Sequence, residues 1–255
     1  MSAAITQSID VTQVVLYAFW IFFALLIFYI RKEDRREGYP LEADTTGKAE
    51  PMGVIWFAKP KTFNLMHGGS TQAPNGKSDN HLRPPALARV DGTPGAPHVP
   101  TGNPLVDGVG PASYADRANV PDLTVEGHDK IVPMRVAGDF YVSKQDSDPR
   151  GMAVIGCDGE QAGEVSDIWV DRSEFMIRYL EVDLGPRTVI LPFPFVDVDG
   201  AKNKVKVAAI TAAQFSDVPA LANPDQITLL EEDRISGYYG GGYLYATPER
   251  QEPIL

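Results

Sequence analysis

Apolar and polar positions divide the chain into three kinds of stretch. The first runs from Val11 to Ile30 and reads VTQVVLYAFWIFFALLIFYI. Thr12 and Gln13 are polar, and from Val14 onward no polar side chain but the tyrosines interrupts the run. As a helix, about 20 residues span roughly 30 Å, the thickness of bilayer hydrocarbon. A core helix of a soluble protein keeps a polar face, and this stretch has none. It predicts one membrane-spanning helix.

The second stretch, from residue 38 to about 111, has almost no periodicity. It holds 11 of the 21 prolines, which breaks any ladder or helix into short fragments. Gly38-Tyr39-Pro40 ends the first helix, which is expected to continue through residues 31–37. Trp56, Phe57 and Phe63 are costly to leave in water, so the segment is expected to lie extended on a partner surface. Pro-Asn-Gly at 74–76 signals a turn.

The third stretch begins near Ile131 and alternates in short runs. Strands are predicted at Ile131–Val136, Asp139–Ser143, Met152–Ile155, Ala162–Val170, Phe175–Leu184, Thr188–Leu191, Phe195–Val198 and Lys204–Val207. Turns at Gly138, Asp158-Gly159, Gly185-Pro186 and Asp199-Gly200 separate most of them. Such spacing predicts an antiparallel sheet or small barrel. Arg178 to Leu184 alternates so regularly that one face of that strand is expected to be wet. Short helices are expected at Thr211–Phe215, capped by Thr211, and from Leu230 to about Tyr239, stopped by Gly240-Gly241-Gly242.

The flanks of the apolar run orient it. Residues 1–10 carry no Lys or Arg, whereas residues 31–37 carry Arg31, Lys32, Arg35 and Arg36. The positive-inside rule then places the N-terminus outside and the bulk of the chain in the cytoplasm. No basic n-region, short apolar core or small-residue cleavage site marks a removable signal, so the run is expected to remain as a single anchor. The four basic residues, with Tyr39, form a collar expected to meet lipid headgroups or acidic partner side chains. The expected division is 1–10 outside, 11–37 helix, 38–130 extended segment, 131–246 folded domain and 247–255 tail.

Composition narrows the chemistry. A formal net charge of −11 over 255 residues removes the electrostatic basis for nucleic-acid binding. One cysteine, Cys157, excludes an intrachain disulfide and a zinc–cysteine cluster. No phosphate loop, dinucleotide fingerprint or metalloprotease motif occurs. The histidines stand far apart at 67, 81, 98 and 128. Three groups of titratable residues remain: Glu126-Gly127-His128-Asp129-Lys130; Asp167, Asp171 and Glu174 with Arg178; and Glu231-Glu232-Asp233-Arg234. Each reads as a solvated face with ion pairs or as a surface that collects and passes protons, since clustered carboxylates raise one another's pKa and His titrates near neutrality. A membrane-anchored enzyme or signalling module with an acidic cytoplasmic domain fits these residues as well.

Specific segments resolve the choice. They are Arg-Arg-Glu-Gly-Tyr-Pro-Leu at 35–41, Pro60-Lys61-Thr62-Phe63, Pro100-Thr101-Gly102-Asn103-Pro104 and Gly108-Val109-Gly110-Pro111-Ala112-Ser113. Lys130-Ile131-Val132-Pro133-Met134, Asp167-Ile168-Trp169-Val170-Asp171, Leu229-Leu230-Glu231-Glu232-Asp233 and Gly241-Gly242-Tyr243-Leu244-Tyr245-Ala246 follow. In these the chain resembles the H subunit of the photosynthetic reaction centre of purple bacteria, over nearly its whole length. The resemblance implies a single transmembrane helix and a mainly-β cytoplasmic domain, a small PRC-type antiparallel barrel with short C-terminal helices. It implies a non-catalytic subunit of the bacterial inner membrane that caps subunits L and M. Those subunits hold bacteriochlorophyll, bacteriopheophytin, quinones, non-haem iron and a carotenoid; the H subunit carries no redox cofactor. A cytochrome subunit, a core light-harvesting ring and membrane lipids are the further partners.

The resemblance also implies that the subunit shields the quinone sites and helps conduct protons to the secondary quinone. The proton entry of the family falls at His128 with Glu126, joined by Asp122 and Asp129. Some members carry His-X-His there; Glu126 replaces one imidazole here, so no surface metal site is expected. The family's interior acid matches Glu174, which is expected to lie deeper, with Asp171 nearby and Arg178 tuning its charge.

Overall fold

A computed structural model describes residues 11–43, 45–49, 53–75 and 85–251. The expected outer segment 1–10 lies outside the described residues, as do His81, Gly76 of the expected turn and the last four residues of the tail. The chain divides into two compact units, one of residues up to 81 with 91–96, the other of 82–90 with 97–255.

In the first unit, helix α1 covers Val11–Glu33 and none of its residues is buried within the chain. It is long and apolar enough to cross a membrane. The helix stops at Glu33, short of the expected residue 37: the Asp34 amide makes the last bond, to Ile30 O. The cause is Arg36. Its Nε and Nη2 grip the two Glu33 carboxylate oxygens at 2.8 Å each, and its Nη1 donates to Lys59 O (2.6 Å) and Ala73 O (2.8 Å). Those bonds pull the chain into turns and tie the helix end to an antiparallel hairpin, β1 (Lys61–Asn64) and β2 (Ser70–Ala73). Gly68 and Gly69 both take positive φ to close that hairpin.

The second unit starts with hairpin β3 (Leu87–Arg89) and β4 (His98–Pro100) and a short helix α2 (Pro104–Asp107) capped by Asn103. The region 38–130 therefore contains two hairpins where little periodicity was legible. The main sheet has β5 (Ile131–Pro133), β6 (Ala153–Ile155), β7 (Gln161–Asp171), β8 (Met176–Asp183), β9 (Thr188–Pro192), β10 (Val196–Asp199) and β11 (Lys204–Val207). Its order is β10-β11-β6-β7-β8-β9, with β5 on β7. All pairings are antiparallel except β11 with β6, which is parallel. The turn Phe193–Phe195 joins β9 directly to β10, so the chain itself brings the two ends of the sheet order together. Ile168, Leu180, Leu191, Val205 and Trp169 fill the inside, and helix α3 (Leu229–Tyr245) adds Ile235, Tyr238 and Tyr239.

Four local expectations change. Asp139–Ser143 forms no strand; its alternation is genuine, because Phe140 and Val142 pack onto the core, but it joins no ladder among the described residues. The β8 face expected to be wet is dry at Glu181, which accepts bonds from Trp169 Nε1 (3.0 Å) and Arg135 Nη1 (2.8 Å). The expected helix at Thr211 is a 3₁₀ turn over Ala213–Asp217, and the Thr211 amide bonds Gln214 Oε1 instead of starting a cap. Helix α3 runs straight through its glycines. A Cβ on Gly241 would sit 2.4 Å from Ala112 Cβ, and one on Gly242 2.3 Å from Ala209 O. The glycines serve close approach, and the capping box of Thr228 and Glu231 starts the helix.

A carboxylate and cation cluster at the β7–β8 hairpin

The site grows from the end of β7. The β7–β8 register shifts between Val165 and Asp167 and again between Trp169 and Val170, and such bulges re-aim side chains. Asp171, the last residue of β7, is fully buried. Its Oδ1 accepts the backbone N–H groups of Ser173 (2.8 Å) and Glu174 (2.9 Å), which fixes the turn. Phe175 closes the turn at φ 54°, with its amide on Asp171 O at 2.9 Å.

The other oxygen of Asp171 meets two cations. Arg178 donates to Oδ2 through Nε (3.2 Å) and Nη2 (3.1 Å), and Lys130 Nζ stands 3.6 Å away. Arg178 Nη2 also reaches Glu174 Oε2 at 3.2 Å. Lys130 Nζ lies 3.5 Å from both Glu174 Oε1 and Asp122 Oδ2. Three carboxylates thus share two cations. Burial opposes charge on Asp171, but the Glu174 and Ser173 amides, Arg178 and Lys130 outweigh it and hold the carboxyl below the usual range. Burial likewise opposes charge on Lys130, and Asp171, Asp122 and Glu174 overcome it, raising its pKa.

Two pairings bring Lys130 there. The Lys130 amide bonds Asp122 O (2.9 Å), and the Arg172 amide bonds Lys130 O (2.9 Å). The first closes a small loop over residues 122–130, turned by Gly127 at φ 86°. Glu126 and His128 stand exposed at its tip. The Glu126 amide and the Thr124 hydroxyl draw the Glu126 carboxyl below its usual range, with His128 adding a smaller pull. Among the described residues, no side-chain hydrogen bond or ion pair joins the His128 ring to the Lys130 cluster. Asp129 instead accepts from Gln226 Nε2 at 3.0 Å.

The sequence-predicted residues therefore separate. Asp122, Asp171, Glu174 and Arg178 come together; Glu126, His128 and Asp129 share the adjoining loop. Within the chain the Glu174 side chain is 50% exposed and that of Asp171 0%. The backbone bonds of the turn bury Asp171, and the turn carries Glu174 outward. Asp167 belongs to a separate group, bonded to Arg135 Nη1 at 3.1 Å. Glu231 and Asp233 accept backbone amides, of Thr228 and Ala222 and of Ala115.

The sequence puts Lys130 and Glu232 in other titratable groups and gives Tyr179 no signal. Lys130 is central, and only the β5–β7 register, Ile131 opposite Asp171, reveals it. Tyr179 donates its hydroxyl to Glu232 at 2.6 Å. Burial pushes the Glu232 carboxyl up, with the Tyr179 bond and Arg178 pulling the other way; burial and Glu232 push the Tyr179 phenol far up. The collar is also largely engaged within the first unit. Arg31 pairs with Asp34 at 3.1 Å, Arg36 clamps the hairpin, and the Arg35 guanidinium lies over Tyr39 and Trp56 at 5.3 and 5.4 Å from the ring centroids. The described residues hold no group of three or more His, Cys, Asp or Glu arranged for a metal ion.

Two family models match. One, the PRC-barrel domain, covers residues 142–214 and so takes in the sheet from β6 to β11. The other describes the H-chain N-terminal region of the photosynthetic reaction centre and covers residues 3–136, from before α1 through β5. Matched by that model over more than half its length and by the barrel model beyond it, the chain belongs to the photosynthetic reaction-centre H-chain family.

Proposed function

We propose that this reaction-centre subunit caps subunits L and M on the cytoplasmic side, its N-terminus outside, and relays protons toward a quinone they hold. The observation that carries the reading is the cluster at the β7–β8 hairpin: a half-exposed Glu174 shares Arg178 and Lys130 with the buried, ionised Asp171. A quinone bound in the partners supplies the electron acceptor, and its reduction consumes protons. Glu174, open to water, takes a proton from solvent or from the 122–130 loop, where His128 and Glu126 collect protons at the surface. Asp171, held ionised, keeps Lys130 and Arg178 charged, and both cations stand within ion-pair distance of the Glu174 carboxyl. Glu232, whose carboxyl burial pushes up, offers a second titrating group beside Arg178. Pigments, quinones and iron belong to the partners in this reading. The collar and the 38–130 segment fix the subunit on the membrane and on L and M.

Removing the chain from the pigmented complex and adding it back tests the assignment. The reading predicts slower flash-induced proton uptake without the chain and recovery with it, while the first charge separation stays unchanged. Isolation of the chain alone and colourless, with no effect on a reaction centre, contradicts it.

A further inference from the structure

We propose that the turn Val54–Trp56 with Phe57 is a second membrane contact, a foot seated at the headgroup–acyl boundary beside the end of α1. The inference rests on α1 crossing the bilayer, which is part of the reading above. Its basis is a juxtaposition inside the first unit. The Phe28 ring packs on the Trp56 indole with centroids 5.2 Å apart. Phe28 lies two residues before Ile30, where the apolar run ends, which is about 3 Å along a helix axis. Trp56 therefore stands at the depth where the hydrocarbon stops.

Other bonds hold the segment at that depth. Lys61 Nζ lies 5.6 Å from the Tyr29 ring centroid and bonds Glu33 at 2.6 Å. Arg36 holds Lys59 O and Ala73 O. Ile55 and Phe57 flank Trp56 and are 64% and 47% exposed, although Ala58 beside them is buried. Two large apolar side chains are thus presented to the surroundings at the membrane boundary.

Charge identifies the occupant. Residues 31–37 with Lys59 and Lys61 carry six basic side chains, Arg31, Lys32, Arg35, Arg36, Lys59 and Lys61, against three acids, Glu33, Asp34 and Glu37. This local excess is positive in a chain whose net charge is −11. Aromatic rings interleaved with cations at this depth suit an anionic lipid interface. The Arg35 guanidinium over Trp56 and Tyr39 is such an interleaving.

Spin labels test the proposal, because Cys157 is the single cysteine. In a Cys157→Ser background, Ile55→Cys and Phe57→Cys are labelled one at a time. Ile21→Cys in α1 and Thr71→Cys on β2 serve as lipid and water references. The full chain, and separately the complete pigmented complex, is placed in phosphatidylcholine–phosphatidylglycerol vesicles. Labels at 55 and 57 should collide with oxygen, relative to a water-soluble nickel chelate, several-fold more than the label at 71, approaching the label at 21. Values matching position 71 overturn the proposal. So do labels in the complex that are immobilised and shielded from both reagents, which means a partner polypeptide covers the turn. A label at 21 that itself reports water overturns the spanning reading, and the foot with it.

Discussion

Replacing Asp171 by Asn probes the cluster at its buried centre. The Asn carbonyl can still accept the Ser173 and Glu174 amides, so the turn keeps its shape. Its NH₂ group, however, faces Arg178 and Lys130, donor against donor, and the negative charge is gone. Two charge-assisted bonds from Arg178 are lost, and Lys130 keeps two partly exposed carboxylates. Breaking a fully buried pair costs about 3–5 kcal/mol. Here the Arg178 side chain is 35% exposed, and water screens part of the loss, so about 2–3 kcal/mol is expected. For a domain of this size that is a fall in Tm of roughly 4–12 °C. The assay is thermal unfolding of the detergent-solubilised chain, followed by near-UV circular dichroism. The Asp171→Asn/Arg178→Met double variant should cost less than the sum of the singles by about 1 kcal/mol or more, because one stranded cation is removed. The pH dependence has a definite sign. The native carboxyl titrates below its unfolded value, so its contribution is full above about pH 4 and is lost as pH falls through the lowered native pKa. Wild type should therefore lose stability in acid more steeply than Asp171→Asn. A single variant within about 0.5 kcal/mol of wild type, with parallel acid profiles, refutes the claim that the cluster depends on this charge.

Tyr179→Phe removes the hydroxyl that donates to the half-buried Glu232 carboxylate; it should cost about 1 kcal/mol and raise the Glu232 pKa further, readable from the carboxyl infrared band against pH. Because burial already lifts that carboxyl, its contribution weakens as pH rises from the unfolded value toward the native one, and the variant should widen that window. The helix glycines should split: Gly241→Ala, facing Ala112 at 2.4 Å, should destabilise by about 1–3 kcal/mol. Gly240→Ala, with Pro111 O at 3.7 Å, should be tolerated or stabilise by up to about 1 kcal/mol, urea midpoints giving both. Arg36→Gln should speed hydrogen exchange at the Phe63 and Thr71 amides of the first hairpin and leave the main sheet unchanged, since Arg36 ties that hairpin to α1.

The elements that alternate or repeat on their own are those the chain announces. Helix α1 follows from an unbroken apolar run, and β6 to β11 from short β-branched runs between turn residues. What stayed hidden depends on contacts distant in sequence. Nothing near Gly240-Gly241-Gly242 says that Ala112 and Ala209 press against the helix there, so a stop was the natural reading. Glu181 reads as a solvent residue until Arg135 and Trp169 are brought to it. In the candidate site, Asp171, Glu174 and Arg178 are near neighbours on one hairpin and were legible as a group. Lys130 and Glu232 join through the β5–β7 register and the docking of α3, and their spacing carries no such signal. The burial of Asp171 carries no sequence signal either, because the turn amides that hold it are backbone groups, identical in every residue.

The proposed proton relay turns on Glu174. Glu174→Gln in the complete reaction centre keeps the side chain's shape and hydrogen bonding and removes the titrating group. Flash-induced proton uptake and the second electron transfer to the secondary quinone are read together, from neutral to mildly alkaline pH. Both should slow, while the first charge separation, which the proposal assigns to the partner subunits, should keep its rate. Both proton-coupled steps running at the wild-type rate throughout that range contradict it.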